Sequence, residues 1–474
     1  MKQSETSADT WRKKSNKSGC SAVGFSGDKK LTTPEAAQTL RSNAKKITLA
    51  CTLVYFASYI MRINFAVMIA KICSDMSLEK SELSIVLTAL TIAYGTGQII
   101  SGILGDKFKP AVMLSVGLAL AAACNIAMFF AKDIPYMVTV WCINGFAHSM
   151  LWPPIVRIFS TYLNDYEYSY ASVRVSWGSS VATVLLYLIC PLLIGPGLDL
   201  GWNTVMLICA GVGIAVLAFW IRISPRILVN PIVKTEDKNS GKKAIHKKLP
   251  AYVFVAVVFI MLGIIFQGAL RDGVTNWIPS FLSETFGISE ERAIVSTVIL
   301  AIFSIFSFWI FGFVQRMLFK NEVMCASVIF ALSTVLATVL YFINTLTEGS
   351  MAVSLILMSL IVACMHGVNL MLIGIVPKRF VKSGKVSTYS GILNACTYIG
   401  AAISTYVFAL FAEKRGWDFT IFTWIIISAL GLVSCLVAVR IWKRFVKEYA
   451  EAPESPDDGT DQETESADDI DSMK

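Results

Sequence analysis

The sequence predicts an all-α integral membrane protein with twelve spans in two pseudo-symmetric halves of six. Three observations predict it. Apolar runs of 18 residues or more recur along the chain, without the alternation that a membrane β-barrel requires. Charged residues make up only 16% of the chain against 55% hydrophobic, where a soluble protein carries about a quarter charged. Finally, landmarks of the first half return in the second at nearly constant spacing: Arg62 as Arg271, Gly102 as Gly312, and the Gly201–Asn203 triplet as Gly416–Asp418, offsets of 209, 210 and 215.

Residues 1–46 are polar and basic and read as a cytoplasmic tail. They contain no apolar core followed by a small-residue cleavage site, so no cleaved signal peptide is expected. The first bundle, 47–223, holds apolar runs at about 47–72, 83–105, 111–131, 135–161, 169–195 and 202–223. A basic linker, 224–250, follows. The second bundle, 251–445, holds runs at about 251–280, 292–317, 323–345, 350–377, 386–412 and 418–442. Residues 446–474 form an acidic tail, read as solvated.

Lysine and arginine set the orientation. Lys107, Lys109, Arg316, Lys320, Lys378, Arg379, Lys382 and Lys385 join the basic linker on one side, and the opposite loops are short and less basic. The positive-inside rule makes the basic side cytoplasmic, with both termini there. The net charge of +8 is a topology signal, and no nucleic-acid partner is expected.

The chemistry begins with Arg62, near the middle of the first run. A guanidinium at the bilayer centre costs roughly 2.5–3.5 kcal/mol, and the usual compensation is a buried anion. Tyr55 and Tyr59 lie seven and three residues earlier, on the same helical face. No acid shares the span, so Arg62 reads as a ligand-binding residue. Arg271 occupies the matching place in the second half. Its neighbour Asp272 could be a partner, but adjacent helical residues point about 100° apart. Parallel repeats place a substrate site at the midplane between the halves, so both arginines are expected to face one cavity. Two guanidinium forks suit phosphate or carboxylate.

Other chemistries find no support. The eleven cysteines are scattered without a close pair, and the three histidines lie far apart, so neither disulfides nor a metal site is expected. No phosphate-cradling GxxxxGK[ST] loop is present. The chain is not read as an enzyme, and no cofactor is expected.

Over about 47–445 the sequence resembles the organophosphate:phosphate antiporters of the major facilitator superfamily, the group of the bacterial glycerol-3-phosphate and hexose-phosphate transporters. The resemblance rests on Tyr55, Tyr59 and Arg62 followed by Asn64, Phe65 and Ala66, and on Ile92 to Gly95. It continues in Gly102 with Asp106 and Lys107, in Trp152, Pro153 and Pro154 with Arg157, and in Arg271 with Asn276 and Trp277. Met371 to Gly374, Pro377, Lys378, Tyr398 to Gly400 and Gly416 to Asp418 complete it.

The resemblance implies a major facilitator fold and rocker-switch exchange of a phosphorylated metabolite for inorganic phosphate. Arg62 and Arg271 would clamp the phosphoryl group. Tyr55, Tyr59, Tyr94, Tyr398, Gln98, Trp152 and His366 complete the expected substrate-binding set, and Asp106 and Arg157 an expected gate on the cytoplasmic side. A multi-pass protein of the inner membrane, monomeric and in contact with lipid, is implied.

The sequence departs from the pattern at Gln98, where relatives commonly carry lysine. Gly178 stands where some carry histidine, Ala301 falls near the place of a glutamate, and His366 replaces a pocket tyrosine. His366 could add a pH-dependent charge, its unperturbed pKa being near 6.5, whereas His148 reads as packing. Two alternatives stay open: a membrane sensor of a sugar phosphate, and a proton-coupled organic-anion carrier using Asp272 and His366. The organic part of the substrate is not readable from the sequence.

Overall fold

The structure, a computed structural model, describes residues 34–78, 80–194, 198, 200–229, 231, 248–289, 292–293, 296–346 and 349–450. Most of the basic linker, residues 1–33 and the acidic stretch beyond Ala450 lie outside the described residues. Contacts divide the chain into Met1–Arg41 with Ala452–Lys474, described only at the helix start 34–41, and Ser42–Glu451, which holds the membrane helices.

Helix α1 (Pro34–Val67) begins earlier than the apolar run, so part of the expected polar tail is helical. Proline at the first helical position and the helix-forming residues that follow explain the early start. The chain breaks at Met68 (φ −98°, ψ 5°), and α2 (Ile69–Met76) continues it. Then come α3 (Lys80–Lys107) and α4 (Pro110–Phe129).

The expected fourth span is two helices, α5 (Ile134–Ser149) and α6 (Trp152–Tyr162). Pro153 and Pro154 have no N–H to donate to the carbonyls of Ser149 and Met150, so the helix stops and restarts at Trp152. Helices α7 (Asp165–Ile194) and α8 (Trp202–Ile227) complete the first half.

The second half holds α9 (Val253–Phe286), α10 (Val298–Leu318), α11 (Glu322–Leu346) and α12 (Met351–Asn369). Beyond Asn369 the winding loosens to a π-helix, Leu370–Ile375, and tightens to a 3-10 helix, Val376–Ser383. Pro377 again withholds a donor where a regular helix needs one. Helix α13 (Val386–Phe445) is two crossings joined at Gly416, whose φ of 82° and ψ of 174° suit glycine alone.

Among the described residues, ten stretches are long and apolar enough to cross a membrane. Two features reconcile ten with the expected twelve: α5 and α6 are each too short alone, and α13 carries two crossings.

A polar clasp fixes the turn that carries Arg62. The Met61 carbonyl accepts from Asn125 Nδ2 of α4 at 2.9 Å and from Asn144 Nδ2 of α5 at 3.2 Å. Asn64 Nδ2 donates to Asn125 Oδ1 at 2.7 Å. Buried amide groups bonded this way cost little, whereas an unpaired one, such as Asn144 Oδ1 among the described residues, costs about 1–3 kcal/mol. The clasp therefore holds α1, α4 and α5 in one register. His148 packs beside it, with Nδ1 2.8 Å from the Asn144 carbonyl and Nε2 2.8 Å from that of Ser58.

The two halves meet along α3 with α13 and α7 with α10. Glycines bring the backbones close: a Cβ on Gly391 would lie 2.2 Å from the Gln98 carbonyl oxygen and 2.9 Å from Gly102 Cα.

Candidate functional site

Between the halves lies a cavity of about 800 Å³. Of the residues expected in the substrate site, Tyr55, Tyr59, Arg62, Tyr94, Trp152, Arg271, His366 and Tyr398 all line it. Gln98 does not. Its side chain is fully buried, and neither amide atom has a hydrogen-bond partner among the described residues. It belongs to the tight seam of α3 against α13, which a span-by-span alignment cannot distinguish from the cavity wall.

Arg62 is embedded in aromatic rings. Its Cζ lies 4.2 Å from the Tyr59 ring centroid and 4.9 Å from that of Tyr94. The rings form a chain, Trp152 to Tyr55 at 5.3 Å and Tyr55 to Tyr59 at 5.1 Å. Tyr94 meets Tyr398 of the other half at 4.8 Å, nearly edge-on. Cation–π contacts of this kind engage the face of a guanidinium and stabilise it by about 2 kcal/mol where it is desolvated.

Arg271 is held differently. Its Nε donates to Asp272 Oδ1 at 2.6 Å and its Nη2 to Asp272 Oδ2 at 2.8 Å. This corrects the expectation that neighbours on a helix do not meet. The Cβ directions diverge, but the arginine stem is long enough to fold back onto the adjacent carboxylate.

The sequence reading missed a hydroxyl-bearing wall. Ser176, Ser179 and Thr183 of α7, Ser304 of α10 and Thr405 of α13 line the cavity, and each donates its proton to a carbonyl three or four residues earlier. A hydroxyl that has donated its proton keeps two lone pairs, so this wall accepts hydrogen bonds. Spacings of three and four residues along α7 were the available signal.

The cavity opens away from the basic loops. Its lining extends to Leu87 and Thr88 of α3, Tyr187 of α7 and Val298 of α10, near the helix ends on the far side. On the basic side the halves are locked. Asp106 accepts from the backbone N–H groups of Ser387 and Thr388, both at 2.9 Å, and from Thr388 Oγ1 at 2.6 Å. The carboxylate thus caps the start of α13, where the helix dipole favours an anion.

Arg157 donates to the carbonyls of Gly105 and Phe108 at the end of α3, the latter at 2.9 Å. Asp165 pairs with Lys378, and Tyr168 Oη donates to the Gly374 carbonyl at 2.7 Å, inside the loosened part of the α12 crossing. Arg379 pairs with Glu322 within the second half. Trp177 Nε1 of α7 donates to the Ile305 carbonyl of α10 at 3.0 Å.

Two helical halves around a central charged cavity, closed on one side and open on the other, define a membrane carrier. Residues 51–384 match the model of the Major Facilitator Superfamily, and the chain belongs to that superfamily. It is a multi-pass membrane protein and not an enzyme. It is 23% identical to a probable hexose phosphate transport protein of Chlamydia trachomatis, over 82% of this chain and 89% of the relative. It is 25% identical to the glycerol-3-phosphate transporter of Bacillus subtilis, over 77% and 85%. A membrane sensor protein of Salmonella typhimurium is 20% identical over 83% and 90%. The Escherichia coli fucose:proton symporter has the same fold, with a TM-score of 0.63, 13% identity and coverage of 84% and 99%.

Proposed function

We propose that this protein exchanges a phosphorylated small metabolite for inorganic phosphate across the inner membrane by alternating access. The observation that carries the reading is the presence of Arg62 and Arg271, one from each half, in a single cavity. Bidentate guanidinium bonds fit a phosphoryl group. An anion bridging Arg62 and Arg271 couples the halves and lowers the barrier to the opposite conformation, while the empty carrier reorients slowly. Similarity to hexose phosphate and glycerol-3-phosphate transporters supports the same substrate class.

In this account Arg62 and Arg271 bind the phosphoryl oxygens, and Tyr59, Tyr94 and Tyr398 shape the pocket around them. Tyr55, Trp152 and His366 complete its lining. The acceptor wall of α7 suits an organic part rich in hydroxyl donors, such as a sugar or polyol. With the basic side cytoplasmic, this conformation faces outward; Asp106 belongs to the cytoplasmic closure, and Arg157 braces the end of α3 that carries it. The carrier works as a monomer in lipid.

A second reading, a ligand sensor, is favoured by the similarity to a membrane sensor protein. Counterflow in proteoliposomes separates the two. Labelled phosphate uptake that requires internal phosphate, and that one phosphorylated metabolite blocks, supports exchange. Ligand binding without flux supports the sensor.

A further inference from the structure

The cavity is less positive than its two arginines suggest. Among its described lining residues the arginine, lysine and acidic side chains are Arg62, Arg271 and Asp272, a formal sum of +1. The two arginines are not equivalent. Arg62 contacts aromatic rings and has no carboxylate partner among the described residues, whereas Arg271 carries a bidentate carboxylate on its Nε–Nη2 edge. A guanidinium has five N–H groups, and this pairing uses two. Nη1 of Arg271 has no hydrogen bond among the described residues and is not among the buried unpaired atoms, so it keeps accessible surface on a residue that lines the cavity.

We infer that Asp272 is a specificity-determining residue that sets the charge of the ligand the site accepts. It rests on the oxyanion-binding reading above. The carboxylate acts in two ways. It fixes the guanidinium plane so that the Nη1 edge is presented to the ligand, and it cancels one of the two positive charges. A singly charged oxyanion then leaves the site neutral, and a doubly charged one leaves an uncompensated negative charge beside a largely shielded ion pair. Displacing Asp272 to admit the second charge would strand the carboxylate without its partner, which is strongly unfavourable in a buried site. The pair is largely shielded from solvent, with side-chain exposures of 16% and 29%, so the charge acts at short range and with little screening.

The test uses two tetrahedral probes whose charge is fixed at neutral pH: sulfate, doubly charged, and methyl sulfate, singly charged. Each competes with labelled inorganic phosphate for the purified full-length protein. In the wild type, methyl sulfate is expected to compete at least as well as sulfate, despite offering one fewer charged oxygen. Asp272→Asn should move the ratio of the two affinities toward sulfate by about tenfold or more, as removal of one nearby charge implies. Asp272→Glu should keep the wild-type ratio, and Asp272→Ser should behave like Asp272→Asn. An unchanged ratio in the neutral variants, with both affinities falling together, would make the pair merely structural and overturn the proposal. So would a wild type that prefers sulfate tenfold, a result readable even where no variant folds. A wild type that binds no oxyanion removes the functional reading itself, and this inference with it.

Discussion

Replacing Gly391 by alanine should open the basic side of the carrier. A Cβ there would lie 2.2 Å from the Gln98 carbonyl oxygen and 2.9 Å from Gly102 Cα, where a relaxed carbon–oxygen contact needs about 3.3–3.6 Å. Both obstructing atoms are backbone, so no rotamer change relieves them. Helices α3 and α13 must part by roughly 1 Å, and overpacking of this kind costs about 1–3 kcal/mol. The three hydrogen bonds to Asp106 stretch in the same movement.

Because this contact joins the two halves, the penalty falls on the conformation closed on the basic side. A bias of 1–3 kcal/mol shifts a two-state population by about 5–150-fold. Gly400 provides the control: its added Cβ would lie 1.9 Å from the Ile265 carbonyl oxygen of α9, within one half. Gly400→Ala should therefore destabilise every conformation and lower the yield of folded protein. The assay is a pulsed-EPR distance between spin labels at positions 109 and 385, in a background whose cysteines have been replaced. Gly391→Ala should show the longer distance predominating, and a variant with the wild-type distance distribution refutes the reasoning.

Three further outcomes are expected. Arg62→Lys should fold but lose phosphate exchange in proteoliposomes, because a point ammonium cannot reproduce the two-pronged fork; substantial retained exchange removes Arg62 from the phosphate site. Asp106→Ala should weaken the closed basic side by about 2–3 kcal/mol, since it strands donors that met a charged acceptor. The same EPR distance should lengthen, and a short distance would remove Asp106 from the closure. Gln98→Leu should raise the unfolding temperature, because an unpaired buried polar group costs about 1–3 kcal/mol. A lowered unfolding temperature would mean that the amide is bonded.

Much of this arrangement was legible in the sequence because membrane burial exaggerates its signals. An arginine in an apolar run is conspicuous, and its recurrence at a fixed offset implied that Arg62 and Arg271 share a cavity, as they do. Tyr59, Tyr94 and Tyr398 followed from helical spacing and family resemblance. Contacts set by close approach were not legible. Gln98 lies one helical turn beyond Tyr94, yet a glycine contact draws it into the seam and out of the cavity. The fold-back of Arg271 onto Asp272 depends on side-chain length, which helical periodicity does not encode. The hydroxyls of α7 had a signal in their three- and four-residue spacing, but that Ser304 of α10 and Thr405 of α13 line the same cavity shows only once those helices are placed. The break before Trp152 could have been read from two consecutive prolines; the π-turn at Leu370–Ile375 had no comparable signal beyond Pro377.

The most direct test of the account is phosphate:phosphate exchange in proteoliposomes, measured side by side for wild type, Arg62→Lys and Arg271→Lys. The account predicts rapid exchange that depends on internal phosphate in the wild type, and its loss in both variants while each remains folded. Exchange that survives either replacement, or wild-type uptake that needs no internal phosphate, would contradict it.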